Sequence, residues 1–317
     1  MHQRLGVTVP LPGFDVRGAC EIARRAEQLG YTDAWSAEVS GQDAFSVASA
    51  VGVSTTSLRI GCAIAPVYTR PPALIAMSAL SASQAAAGRF CLGLGASTPT
   101  IIENWMGTPF ERPLIRTRET VEVVKQALSG QKVSYEGKTV RVAGFRLEAP
   151  ASVPIFLAAL GPKMMRLAGE VADGLALYAV TEEGVRLARA AAPGLELVAR
   201  LICIPDEPAE EVRGFARFLL APYVAADGYN DWIARQGFAD EAAAVKAAWD
   251  ARDRNGAVEA VSDRLVDALV VTGPAGACKE RLESFRAAGL DTPVLLFIAQ
   301  KGPEAALKMM EAMAPGS

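Results

Sequence analysis

The stretch Gly88-Arg89-Phe90-Cys91-Leu92-Gly93-Leu94-Gly95-Ala96-Ser97-Thr98 decides how the rest of the chain is read. From Phe90 to Gly95 no polar residue interrupts the run, which is the pattern of a parallel strand buried on both faces. Small residues take over from Gly95 through Thr98, where the chain must leave the sheet. Without bulky side chains there, backbone N–H groups stay open to a phosphate, and Ser97 and Thr98 add hydroxyl donors. Strand ends of this kind hold ligands in α/β proteins. A tight turn that needs glycine for its backbone angles and binds nothing would read the same way.

Working outward, apolar strands are expected at Leu5–Val9, Asp33–Ser36, Leu58–Ile64 and Arg89–Gly95, with a helix after each. Asp15 caps the first of these helices, in which Ala19, Cys20, Ile22, Ala23, Ala26 and Leu29 recur at helical spacing before Gly30 stops it. The strand starts recur about every 28 residues, the rhythm of βα units in a parallel sheet. After the fourth strand come a helix over Arg116–Leu128 and a hairpin over Lys132–Val142 turning at Glu136-Gly137. Strands resume at Pro154–Ala159, Leu175–Ala179 and Leu195–Ile204, and a helix-rich insertion runs from about 205 to 265. A helix begun by Gly273-Pro274 and a last strand, Thr292–Ala299, complete the pattern. The expectation is a single α/β domain over 1–317, a (β/α)8 TIM barrel with insertions after strands 4 and 7. A doubly wound open sheet is disfavoured, because no GxGxxG opens the first helix and no halfway boundary is visible.

The composition narrows the function classes. The 317 residues are 51% hydrophobic and 21% charged with a net charge of −3, so no basic surface invites nucleic acid or an anionic membrane. No apolar run is long enough to span a bilayer and the N-terminus shows no leader pattern, which together suggest a cytoplasmic protein. The five cysteines contain no CxxC pair and read as reduced, buried side chains, with no metal site expected. The single histidine, His2, leaves no histidine to serve as a base deep in the chain. Neither paired carboxylates nor a serine nucleophile elbow is visible, so hydrolase chemistry has no machinery here.

A barrel places its active site at the carboxyl ends of the strands. That selects Ser36 to Val39, Cys62 to Arg70, Gly93 to Thr98, Ala158 to Lys163, Tyr178 and the exit of the seventh strand. Two of these segments, Gly95–Thr98 and Leu160–Lys163, combine small residues with a helix start and so suit an anion. Lys163 is either a phosphate counter-charge or a solvated first-turn residue.

In their order, Gly30-Tyr31-Thr32-Asp33-Ala34-Trp35-Ser36-Ala37-Glu38, Leu58-Arg59-Ile60-Gly61, Arg70-Pro71-Pro72 and Gly88-Arg89-Phe90 with Gly93-Leu94-Gly95 resemble the luciferase-like monooxygenase family. The likeness continues through Gly161-Pro162-Lys163, Ala168-Gly169, Ala172-Asp173-Gly174, Val271-Thr272-Gly273-Pro274 and Ala288-Gly289. The form of Gly161-Pro162-Lys163 is most similar to the coenzyme F420-dependent, deazaflavin branch. The resemblance implies a barrel that seats a flavin-like ring across its strand ends, near Ser36, Glu38, Cys62, Ala63 and Ile64. It also implies a non-prolyl cis peptide at Ala63–Ile64. The phosphate would lie between Gly95, Ala96, Ser97 and Thr98 on one side and Ala159, Leu160, Gly161, Pro162 and Lys163 on the other.

The implied activity is hydride transfer between the deazaflavin C5 and a small organic substrate. FMN-dependent monooxygenation and a flavin-binding barrel without turnover are the alternatives. Glu38 is the first candidate for proton donor, with Tyr68 and Tyr178 behind it, although Glu38 also reads as a structural carboxylate. Many deazaflavin members carry acid then histidine where Glu38-Val39 stands, and sugar-phosphate-oxidising relatives carry glutamate where Ala96-Ser97 stands. Both departures argue against sugar-phosphate dehydrogenation. Relatives are commonly homodimers, and Trp105, Trp232 and Trp249 fall in the insertions, as a lid or as packing.

Overall fold

Strands that are apolar throughout must be covered on both faces, and closing them into a ring with helices outside achieves this without leaving an edge. The computed structural model describes residues 3–315, so His2 lies outside the described residues. Its strands are β1 (Gly6–Thr8), β2 (Asp33–Ser36), β3 (Arg59–Pro66), β4 (Phe90–Gly95), β5 (Val133–Glu136), β6 (Arg141–Phe145), β7 (Ile155–Ala158), β8 (Gly174–Tyr178), β9 (Glu196–Pro205), β10 (Val270–Gly273) and β11 (Thr292–Phe297). Outside them lie α1 (Val16–Gln28), α2 (Ala44–Ser54), α3 (Pro72–Ala85), α4 (Pro113–Leu128), α5 (Pro162–Val171), α6 (Glu182–Ala191), α12 (Ala275–Ala287) and α13 (Pro303–Ala312). The second insertion consists of α7 (Ala209–Ala225), α8 (Asp227–Ile233), α9 (Ala239–Asp250), α10 (Arg254–Glu259) and α11 (Asp263–Leu269).

Strands β1, β2, β3, β4, β7, β8, β9 and β11 pair in parallel around a closed ring. Closure is made by Gly6 and Val7 opposite Val294 and Leu295, so the eight-stranded (β/α)8 barrel expected from the spacing is the fold. The β5–β6 hairpin stands apart as a two-stranded sheet in the first insertion. Strand β10 was not anticipated. It pairs with Ile202–Pro205 of β9, on the edge that β8 leaves free beyond the Tyr178–Arg200 pair.

Residues that alternate inward along each strand fill the ring in layers. At the floor, fully buried Asp33 accepts from Arg4 at 2.9 Å, from Trp35 Nε1 at 3.2 Å and from Arg59 Nε. The same Arg59 forks onto Glu196 at 2.8 and 2.7 Å. Above this network Trp35, Cys91, Phe156, Val198 and Val294 form a plug, with Trp35 and Phe156 edge to face at 5.4 Å. Two glycines make the plug possible. A Cβ at Gly61 would lie 2.2 Å from the Trp35 ring, and one at Gly174 2.2 Å from the Phe156 ring.

The insertions are tied down by their own contacts. Trp232 is buried, Arg254 covers the Trp249 ring at 3.7 Å, and Trp105 is largely exposed. The cysteines are free, as expected, and four of the five are buried.

Because Trp35 is held by both Asp33 and Phe156, it has little room to yield. Gly61→Ala is expected to cost about 3 kcal/mol of unfolding free energy by urea denaturation. Gly169→Ala, in α5 with nothing near its missing Cβ, is expected to gain about 0.5–1 kcal/mol from helix propensity.

Candidate functional site

Above the plug the inward positions become small. Cys91 and Phe156 face inward, so two-residue periodicity turns Gly93, Gly95 and Ala158 the same way, and Ala176 follows Gly174. A cavity at this level is lined by Trp35, Ser36, Ala63, Ala176, Val198 and Arg200 among others. There is no slack in the wall itself. A Cβ at Gly93 would sit 1.9 Å from the Cys62 carbonyl oxygen, and one at Gly95 3.0 Å from Ala158 Cβ.

The cause of that crowding is a break in β3. Its pairing with β4 shifts register between Cys62 and Ala65, and the Ala63–Ile64 peptide is cis, at the position the family resemblance indicates. The shift presses the Cys62 carbonyl and the Ile64 side chain toward the β4 glycines. Cys62 Sγ accepts from the Gly93 N–H at 3.3 Å, and burial pushes its thiol up to about 12, which leaves it a neutral wall atom. Ser36 is buried and donates weakly to the Gly61 carbonyl at 3.4 Å.

The two small-residue loops leave neighbouring strands, since β4 pairs with β7 from Leu92–Ile155 to Leu94–Leu157. Gly95, Ala96, Ser97 and Thr98 therefore stand beside Ala159, Leu160, Gly161, Pro162 and Lys163. Ser97 takes a left-handed backbone (φ 65°), and Thr98 Oγ1 accepts from the Ile101 N–H at 3.4 Å, starting a π-helical turn at Thr100–Trp105. Helix α5 opens with Gly161 as its cap and Pro162 in its first turn, without any side chain on its first amides. Those amides stay open to an anion. The Lys163 side chain is exposed.

Glu38 is held differently. Its two oxygens meet Arg70 Nη1 and Nη2 at 2.7 and 2.8 Å, and the second also accepts from the Ala44 N–H at 3.0 Å at the start of α2. Tyr68 donates its hydroxyl to the Glu111 carbonyl at 2.6 Å and stacks on Phe110 at 5.2 Å. Burial pushes its phenol up to about 12.

Tyr178 ends β8 directly opposite Arg200, whose guanidinium lies 4.4 Å from the ring centre. Tyr223 and Tyr229, from α7 and α8, meet Tyr178 edge to face at 5.2 and 6.2 Å. Burial raises the Tyr178 phenol well above its usual range and pushes Tyr229 up to about 12. Sequence reading did not select Arg200, Tyr223 or Tyr229. The available signal was Arg200 itself, the only charged residue in the apolar run from Leu197 to Pro205.

Comparison with known proteins adds to this geometry. The model of the family described as luciferase-like monooxygenase matches residues 2–292. The chain is 28% identical over 319 residues to the 5,10-methylenetetrahydromethanopterin reductase of Methanolobus tindarius, covering 95% of this chain and 96% of that one. It is 30% identical over 186 residues to an F420-dependent glucose-6-phosphate dehydrogenase of Nocardia farcinica, covering 54% and 55%. Among solved structures, the coenzyme F420 dependent tetrahydromethanopterin reductase from Methanopyrus kandleri superposes with a TM-score of 0.82 at 21% identity, over 99% of this chain and 98% of that one. That likeness supports the barrel.

The Glu38–Arg70 pair is only 10% and 17% exposed, so removing one partner strands the other. Arg70→Met is expected to cost about 3 kcal/mol of stability. Adding Glu38→Gln to it should recover at least ~1 kcal/mol in a double-mutant cycle read by urea denaturation.

Proposed function

The chain belongs to the luciferase-like monooxygenase family, and on that footing we propose that it is a coenzyme F420-dependent oxidoreductase. Full-length and partial relatives named for F420 or methylenetetrahydromethanopterin chemistry support the reading. The observation that carries it is a fit. The barrel mouth is floored by Ala63, Gly95, Ala158 and Ala176, where any larger side chain would occupy the space a planar tricycle needs. Beside it lie open amides on two adjoining loops, suited to the coenzyme's phosphate.

When bound, the deazaflavin supplies hydride chemistry at its C5. The chain's own residues bind, orient and exclude water. Ala63 and Ile64 back the ring, Ser36 and Cys62 wall it, and Gly95 to Thr98 with Ala159 to Lys163 hold the phosphate. Glu38, with both oxygens engaged, anchors the turn between β2 and α2 through Arg70. Tyr68, whose hydroxyl is committed to Glu111, forms wall. Tyr178 then becomes the proton-bearing group that faces the substrate, a small organic molecule.

A homodimer in the cytoplasm completes the proposal. Val53 on α2 and Leu74 and Met77 on α3 are 72%, 45% and 50% exposed, an apolar face suited to a second copy. Among the described residues no helix is long and apolar enough to cross a membrane, and the net charge of −3 gives nucleic acid no foothold.

Titration with F420 and with FMN, followed by fluorescence, tests the cofactor. F420 is expected to saturate at least ~10-fold tighter than FMN, and reduced F420 to be oxidised by members of an enone and imine panel. Preference for FMN, or tight F420 binding with no oxidation across the panel, would overturn the reading. Gly95→Val should cost about 100-fold in F420 affinity by filling the mouth.

Tyr178→Phe should lower kcat by about 10²-fold. A raised phenol pKa keeps the proton on Tyr178 above pH ~10, the ordinary tyrosine value. No alkaline loss of rate below that pH should therefore come from this group.

A further inference from the structure

Among the described residues, Arg200 is a cation that points into the barrel without a carboxylate partner. Arg59, the inward arginine of the floor, is matched by Asp33 and Glu196. Arg200 faces inward from β9, two residues beyond the plug residue Val198, yet among the described residues no Asp or Glu side chain forms an ion pair with it. Desolvating a guanidinium costs free energy that a counter-charge normally offsets. Here the neighbours are aromatic: Tyr178 under the guanidinium, and Tyr223 and Tyr229 edge to face with Tyr178 and with each other. Leu220 and Leu269 line the same recess.

A second orphan lies nearby in the ring. Thr8, at the mouth end of β1, is 5% exposed, and its hydroxyl has no hydrogen-bond partner. Gly6 faces inward against Asp33 and Val294, so Thr8, two residues on, faces inward as well. Strand β1 is separated from β9 by β11 alone. Around the ring, β9 stands opposite β3, which carries the Ala63–Ile64 break. A planar ring backed against Ala63 would therefore turn its free face toward Arg200.

From these observations we infer that Arg200, with Thr8 and the Tyr178–Tyr223–Tyr229 cluster, is a substrate subsite for a planar unsaturated acid. The guanidinium fork receives the carboxylate, and the aromatic wall receives the conjugated body. A carboxylate suits this site better than a phosphate dianion because a single guanidinium offers one bidentate face and one positive charge. The orientation toward the cofactor rests on the F420 reading above, while the anion site itself does not.

Calorimetry of the full chain with trans-cinnamate and its neutral isostere trans-cinnamamide, with and without F420, tests the inference. The wild-type chain should bind cinnamate at least ~10-fold tighter than cinnamamide. Arg200→Met should abolish that preference, Arg200→Lys should keep part of it, and F420 affinity should change by less than ~2-fold in both. Tyr223→Phe and Thr8→Val, read by the same titration, serve if Arg200→Met does not fold, and each should weaken cinnamate by about 3-fold or more. Equal binding of acid and amide by the wild type overturns the subsite, as does unaltered cinnamate binding by folded Arg200→Met or, failing that variant, by both substitutes. F420 that fails to bind while the acid preference persists would refute the cofactor reading alone. F420 that binds without any acid preference would refute the subsite alone.

Discussion

Everything at the rim depends on how the inside of the ring is filled below it. Eight parallel strands enclose a space that must be packed, and this chain packs it unevenly along the barrel axis. Asp33 gathers Arg4, Arg59 and Trp35 at the floor, and Glu196 takes the rest of Arg59. Trp35 and Phe156 then occupy the middle at the expense of side chains on Gly61 and Gly174. With so much volume concentrated there, the strands can carry alanine and glycine at the mouth without leaving a void beneath. The buried charges and the aromatic plug make the open site affordable, and Trp35 and Val198 of the plug also line the cavity above it.

The same logic shows which parts of the molecule were legible from the residues. The barrel strands announced themselves because burial on both faces removes polar alternation, and their spacing identified the closed βα pattern. Strand β10 escaped because Val270–Gly273 is four residues long and follows directly on α11, so only its pairing with β9 makes it a strand. Ends were also approximate: β3 runs on to Pro66, and β11 stops at Phe297. The two small-residue loops were visible in the sequence, but their adjacency follows from β4 and β7 being neighbours across the whole first insertion.

Side-chain partnerships were the least legible. Glu38 was conspicuous, yet its partner Arg70 lies 32 positions away, on a different strand exit, and only the ring brings them together. Tyr178 was singled out without the residues that give it an environment. Its companions Tyr223 and Tyr229 come from insertion helices whose path no periodicity specifies. Arg200 shows why. In an apolar strand a lone arginine reads as a residue that snorkels to the surface, and its inward direction becomes clear only once β8 is set against it.

These placements divide the charged groups of the rim into two kinds. Glu38 and Arg70 neutralise each other and fix the turn that leads into α2, so their geometry is complete without a ligand. Among the described residues Arg200 has no carboxylate partner, and the tyrosines around it offer ring faces and hydroxyls. A guanidinium without a carboxylate beside it at the mouth of a barrel raises the local positive potential there. On the proposed reading, the mouth of this barrel is sterically permissive for a coenzyme ring and electrostatically selective for what lies against it.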